Sequence, residues 1–213
     1  MRNYSISIQW RQAIALFLLC VNAQVFAENI VIGGNFGYAS NRNDITYLNE
    51  YFSDTATQAL ASNDDNNRKA WLLYLNYPVV PRIAAQIGYA DLGGANTFLV
   101  GPETEVEPYL ERINGYPIDN VKGVFLAATY QIELNDAVNV VAKGGLHYWR
   151  ADFVIQSHQT RLGFDEEGID PMVGLGLQLN MTHQLAATTT WELYTPDNHN
   201  FDLMTLGLAW RFR

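Results

Sequence analysis

The sequence predicts an all-β protein, an eight-stranded antiparallel transmembrane β-barrel, and three observations carry that reading. Eight stretches alternate apolar and non-apolar residues with a period of two. Their apolar faces hold no charge in the interior, whereas the opposite faces are Gly, Ala, Thr, Asn and Gln with isolated charges. The connections between stretches alternate long and short. A sheet that turned its second face to water would carry Lys, Glu and Asp there. Small and amide side chains suit a narrow lumen instead, which leaves the apolar faces to lipid.

In chain order, the first stretch, "NIVIGGNFGYAS", sets Ile30, Ile32, Phe36 and Tyr38 against Gly33, Asn35 and Gly37. The second sets Trp71, Leu73, Leu75 and Tyr77 against Tyr74 and Asn76, and the third Ile83, Ala85, Ile87 and Tyr89 against Gln86 and Gly88. The fourth opposes Val124, Leu126, Ala128, Tyr130 and Ile132 to Gly123, Thr129 and Gln131, with Lys122 at its start able to snorkel to an interface. The fifth runs Val138, Val140, Ala142, Leu146 and Tyr148 on one side, with Asn139, Lys143, Gly145 and His147 on the other. In the sixth, Val173, Leu175, Leu177, Leu179 and Met181 face away from Gly174, Gly176, Gln178 and Asn180. The seventh pairs Leu185, Ala187, Trp191 and Leu193 against Thr188, Thr190 and Glu192, and the eighth, from Met204, ends in "LGLAWRFR".

Residues 41 to 68, 91 to 120 and 150 to 168 are long polar gaps, and Thr195 to Asn200 is a shorter one. Pro78 to Pro81, Glu133 to Asp136 and Thr182 to Gln184 read as tight turns. This is the asymmetry of an outer-membrane barrel with short periplasmic turns and longer outside loops. With the first strand rising from the periplasm, Tyr38, Trp71, Tyr89, Tyr148 and Trp191 fall at the outer ends of the strands. Tyr77, Tyr130, Trp210 and Phe212 fall at the periplasmic ends, so one topology yields two aromatic girdles.

The first 27 residues read as a secretory signal: Arg2 and Arg11, the apolar run "AIALFLLCV", then small residues at Val25 to Ala27. The expected organisation is therefore a signal peptide over 1–27 and one barrel domain over 28–213. Losing Arg2 and Arg11 takes the formal charge from −9 to −11, a poor match to nucleic acid. Cys20, the single cysteine, leaves with the signal, which removes disulfides and Cys-based metal sites from consideration.

At this point the chain resembles the OmpA-like outer-membrane β-barrel family. "GGNFGYAS", "IGYADLGG", "KGGLHYWRAD", "VGLGLQL" and "LGLAWRF" look like its successive strands in order. The resemblance implies an outer-membrane location and recognition of the terminal strand by the barrel-insertion machinery, here with Arg213 after the terminal aromatic Phe212. It implies no wall-tethering role, since no peptidoglycan-binding domain is read in the sequence. It also implies an internal cluster of Lys, Arg and Glu.

The residues point to the same cluster independently. Lys143 and Glu192 face inward at similar heights, close enough across a narrow interior to pair, and Arg211 and Arg82 lower on the same inner side extend the network. With Phe125, Trp149 and Tyr74 also inside, the expected lumen is plugged. No catalytic site, metal site or cofactor is expected. Ser157 and His158 adjoin in sequence but point to opposite faces with no carboxylate to orient the histidine. No His-x-His or HExxH spacing occurs, and "NDDNNR" and "ETEVEPYLER" read as solvated acidic loops, since the first lacks the glycine and distal glutamate of a calcium loop. The expected function is structural or interactive. Its expected partners are outer-membrane lipids, lipopolysaccharide, and an extracellular ligand of loops 41–68 and 91–120. The alternatives are a lipid A-modifying enzyme and a narrow ion channel.

Overall fold

The computed structural model describes residues 30–41, 60–63, 67–94, 97–100, 120–156 and 161–212. Both the expected signal, 1–27, and the Ser157–His158 pair lie outside them. The described residues form β1 (Val31–Asn41), β2 (Leu60–Asn63), β3 (Asn67–Val80), β4 (Ile83–Asp91), β5 (Thr97–Val100), β6 (Val121–Glu133), β7 (Val138–Gln156), β8 (Arg161–Asn180), β9 (Leu185–Tyr194) and β10 (Phe201–Arg211). Hydrogen bonding runs β7-β6-β4-β3-β1-β10-β9-β8, and β8 pairs back onto β7, closing eight antiparallel strands into a barrel. Closure leaves no barrel strand with an unpaired edge at membrane depth, where water cannot satisfy backbone groups.

Each of the eight predicted stretches coincides with a barrel strand, Ile30, Met181 and Phe212 lying just beyond the strand ends, and over the described residues the predicted face is outward. Phe36, Leu126, Leu177 and Leu206 are exposed, while Asn35, Phe125, Thr188 and Glu192 are buried. Lipid explains why this pattern was legible: every outward position must be apolar, so alternation is enforced along the whole span.

The long gaps are where the structure departs from the sequence reading. Residues 150 to 168 are not a loop for most of their length, because β7 continues to Gln156 and β8 resumes at Arg161, paired residue by residue. Short strands also form in the two earlier gaps: β2 pairs with β5, and β5 meets β7 in parallel at Phe98 and Gln156. The physical reason is that strands outside the lipid face water on both sides and need no alternation. Backbone pairing survives there while its sequence signature disappears.

The first and last strands meet along a seam running from Val31 opposite Arg211 to Asn41 opposite Phe201. Glycines make the approach close: a Cβ at Gly37 would stand 1.8 Å from the Met204 carbonyl oxygen, and one at Gly207 2.2 Å from that of Gly34. Side chains stitch the seam from inside. Asn35 Nδ2 donates to Thr205 Oγ1 at 3.1 Å, and the Thr188 hydroxyl donates to Asn35 Oδ1 at 3.0 Å.

Candidate functional site: the barrel lumen and its rims

Position along the lumen sorts the inward side chains into two zones. Toward the long-loop end, Leu72, Leu92, Phe125, Trp149, Met172, Tyr194, Phe201 and Leu203 are almost wholly buried. Their rings fit because the register places glycine beside them: Gly88 lies opposite Phe125 and Gly168 opposite Trp149. A Cβ on Gly88 would stand 2.4 Å from the Phe125 ring. Trp149 Nε1 donates to Asp170 Oδ2 at 2.7 Å, and the Arg68 guanidinium lies 5.5 Å from the centre of the Phe201 ring. His147 packs edge-on against Tyr194 with 4.9 Å between centroids.

Between the zones, Lys143 Nζ meets Glu192 Oε1 at 2.5 Å, with side chains only 7% and 1% exposed. The other carboxylate oxygen, Oε2, accepts the Tyr194 hydroxyl at 2.6 Å. The pair does not form across the barrel, as the heights of the two residues implied. It forms along the wall, because Gly174 on β8 is the register partner of Lys143 on β7 and of Glu192 on β9. With no side chain at Gly174, the lysine stem reaches over β8; a Cβ there would come 3.0 Å from Glu192 Cγ and 3.4 Å from Lys143 Cε. Lys143 also sits 4.8 Å from the Phe125 ring centre, a cation–π contact from the dry zone.

Toward the short turns the lining changes to amides and guanidiniums. Arg82 and Arg211 stand here, and no ion pair joins them to Lys143 and Glu192 among the described residues. Arg82 occupies the tight turn after β3 with φ of 71°, its side chain exposed, and Arg211 ends β10 half-buried. Arg82 therefore reaches the lining of the short-turn cavity from a turn and not from a strand wall.

Several lumen residues escaped the sequence reading. Tyr194 shares inward parity with Glu192 but lay just past the predicted stretch, and Asp170 lay between the gap read over 150 to 168 and the sixth stretch, which was read from Val173. The Thr190 and Thr205 hydroxyls, 2.7 Å apart, join the seam network, which only strand adjacency reveals.

On the outside, Tyr38, Tyr130, Tyr148, Trp210 and Phe212 are exposed and Trp71, Tyr77, Tyr89 and Trp191 half-buried, all on the lipid side. Register sets them in two rows. Trp71 and Tyr89 touch at 5.5 Å between centroids, and Trp191 shares its level with Met204 and Tyr38, whereas Trp210 lies opposite Ile32 and Leu185 at the other end. Above the outer row runs a charged rim. Lys122 pairs with Asp152 at 3.1 Å instead of standing free, and Glu167 Oε2 accepts from Arg150 Nε at 3.1 Å and from the Tyr148 hydroxyl at 2.9 Å.

Residues 27–213 match the OmpA-like transmembrane domain. The chain belongs to this family. Among solved structures, this OmpA-like barrel is similar to Neisserial surface protein A, with a TM-score of 0.52 and 11% identity over 86% of this chain and 97% of that one. It is also similar to the N-terminal β-barrel domain of Pseudomonas aeruginosa OprF, with a TM-score of 0.50 and 11% identity over 87% and 98%. Ail, the attachment invasion locus protein of Yersinia pestis, aligns over 87% of this chain and 99% of its own, with 17% identity and a TM-score of 0.49. No curated protein matches the chain. Identities this low speak to the fold alone. An OmpA-like barrel is an outer-membrane protein, and its apolar outer surface is its lipid contact.

Proposed function

We propose that this OmpA-like barrel works without catalysis, as a structural and interaction protein. It anchors in the outer membrane, directs its long-loop end outward, and keeps its lumen plugged. The observation that carries this reading is the fully buried Lys143–Glu192–Tyr194 couple beneath a layer of Phe125, Trp149, Phe201 and Leu203. A permeation path would have to break that ion pair and move packed rings, which a barrel this narrow resists. The two aromatic rows set its depth in the bilayer, and Phe212 serves the insertion machinery despite Arg213. Loops 41–68 and 91–120 are the contact surface for an extracellular ligand, and lipopolysaccharide flanks the charged rim.

Planar-bilayer recording of the purified protein tests the plug: the expected result is no steady conductance. A large steady conductance, unchanged in Lys143→Ala and Glu192→Ala, overturns it in favour of a channel. Turnover of lipid A by the pure protein, lost on Ser157→Ala, would replace the non-catalytic reading with the enzymatic one.

A further inference from the structure

The wet end of the lumen holds a second feature that the plug does not use. At the short-turn mouth a cavity of about 210 Å³ is lined by Arg82, Arg211, Asn76, Thr129, Gln131 and Gln178. A smaller cavity of about 50 Å³ above it shares Asn76, Thr129 and Gln178 and ends on Lys143 and Glu192. Beyond them stands the packed layer. The two cavities are adjacent and together form a vestibule, the larger at the mouth and the smaller ending at the ion pair. Two buried atoms on its wall, Asn76 Oδ1 and Gln86 Oε1, have no hydrogen-bond partner among the described residues. Buried polar groups are almost always satisfied, and at ~10–15 Å³ per water the vestibule has room to hydrate them.

Charge gives the vestibule a preference. Lys143 and Glu192 neutralise each other, which leaves Arg82 and Arg211 as the net charge of the lining. Neither is ion-paired among the described residues, and no other carboxylate lines either cavity; Glu133 and Asp136, in a turn at the same end, are exposed and outside the lining. Two arginines beside amide side chains, Arg82 exposed at the mouth and Arg211 half-buried, attract anions against the grain of a chain whose formal charge is −9. We propose that the short-turn half of the lumen is a one-sided binding site for a small anion, held between Arg82 and Arg211 with an amide hydrogen bond from Gln131. The site does not depend on whether the upper half conducts, so its test is separate from the bilayer recording.

The test uses a single cysteine in the vestibule, Gln178→Cys, in a Cys20→Ser background refolded into lipid nanodiscs. Two thiosulfonate reagents of equal size are compared, one ending in sulfonate and one in trimethylammonium. With each rate divided by that reagent's rate toward a free thiol in the same buffer, the sulfonate reagent is expected to react about tenfold faster, as a focusing field implies. The preference falls to parity in Arg82→Gln/Arg211→Gln and persists in Arg82→Lys/Arg211→Lys. A cysteine beyond the packed layer, Leu203→Cys, stays unlabelled by either reagent until the barrel is unfolded. Equal rates at Gln178→Cys, a preference that survives the double glutamine variant, or no labelling of a barrel shown folded by its gel mobility overturns the anion site. Labelling of Leu203→Cys at a similar rate overturns the blind end.

Discussion

The two halves of this lumen are enclosed by the same kind of wall yet filled by opposite chemistry. Above Glu192 the interior is rings and aliphatic chains seated on glycines; below it, amides and arginines around open space. The outer surfaces of both halves are the same run of Leu, Val and Ile. Lipid constrains the outside evenly along the span, whereas the inside answers only to what must be packed, paired or hydrated at each level. The ion pair is the boundary, and it belongs to both: Phe125 covers its lysine from above, while the vestibule ends on it from below.

Substitutions at matched positions in the two halves sharpen that contrast, and urea titration of the folded, heat-modifiable band measures all of them. The largest effects are expected at the boundary and in the dry half. Glu192→Ala strands a buried ammonium and should cost about 3–5 kcal/mol, while the double change Lys143→Met/Glu192→Leu should recover most of it. Phe125→Ala leaves a hole in the packed layer and should cost a similar ~3–5 kcal/mol. Next comes the outer wall. Leu126→Arg and Leu177→Arg, at positions 61% and 49% exposed to lipid, should each cost about 2–4 kcal/mol, whichever zone lies behind them. Thr188→Ala, which removes one hydrogen bond to Asn35, should cost about 1 kcal/mol. Smallest is Gln131→Ala in the vestibule, expected within about 0.5 kcal/mol of the parent because the site is already wet. If Gln131→Ala were as damaging as Phe125→Ala, the two halves would be packed alike and the contrast would be gone.

Gly174 offers a sharper test of how the pair is made. Gly174→Val should loosen the Lys143–Glu192 contact without removing either charge. Its loss of stability should shrink when Lys143 and Glu192 are already replaced by Met and Leu. Independent, additive losses would mean that β8 does not control the pair.

The strands and their facing were legible because a two-residue period survives wherever lipid demands it. Ile83, Ile87 and Tyr89 needed no tertiary knowledge to be placed outside. The inward residues were legible only as a set. Parity put Lys143 and Glu192 inside, but that they meet over Gly174 depends on β8 lying between β7 and β9, which no local pattern encodes. Tyr194 sits at the very end of β9, Asp170 stands midway along β8 but ahead of the stretch where its alternation is regular, and beyond the lipid nothing enforces a two-residue period on β7 and β8.

The seam between β1 and β10 has a consequence for assembly. It joins residues such as Asn35 and Thr205, 170 positions apart, so the pairing of greatest sequence separation is the one that completes the barrel. Loop-closure entropy makes such contacts late in folding, and no smaller set of strands can substitute for them. A nascent chain lacking its last strand would therefore carry two bare edges, from β1 and β9, and offer them to proteases and to other unfinished chains. Full-length synthesis is in this sense proofread by geometry: the final eleven-residue strand is what turns an aggregation-prone sheet into a finished membrane protein.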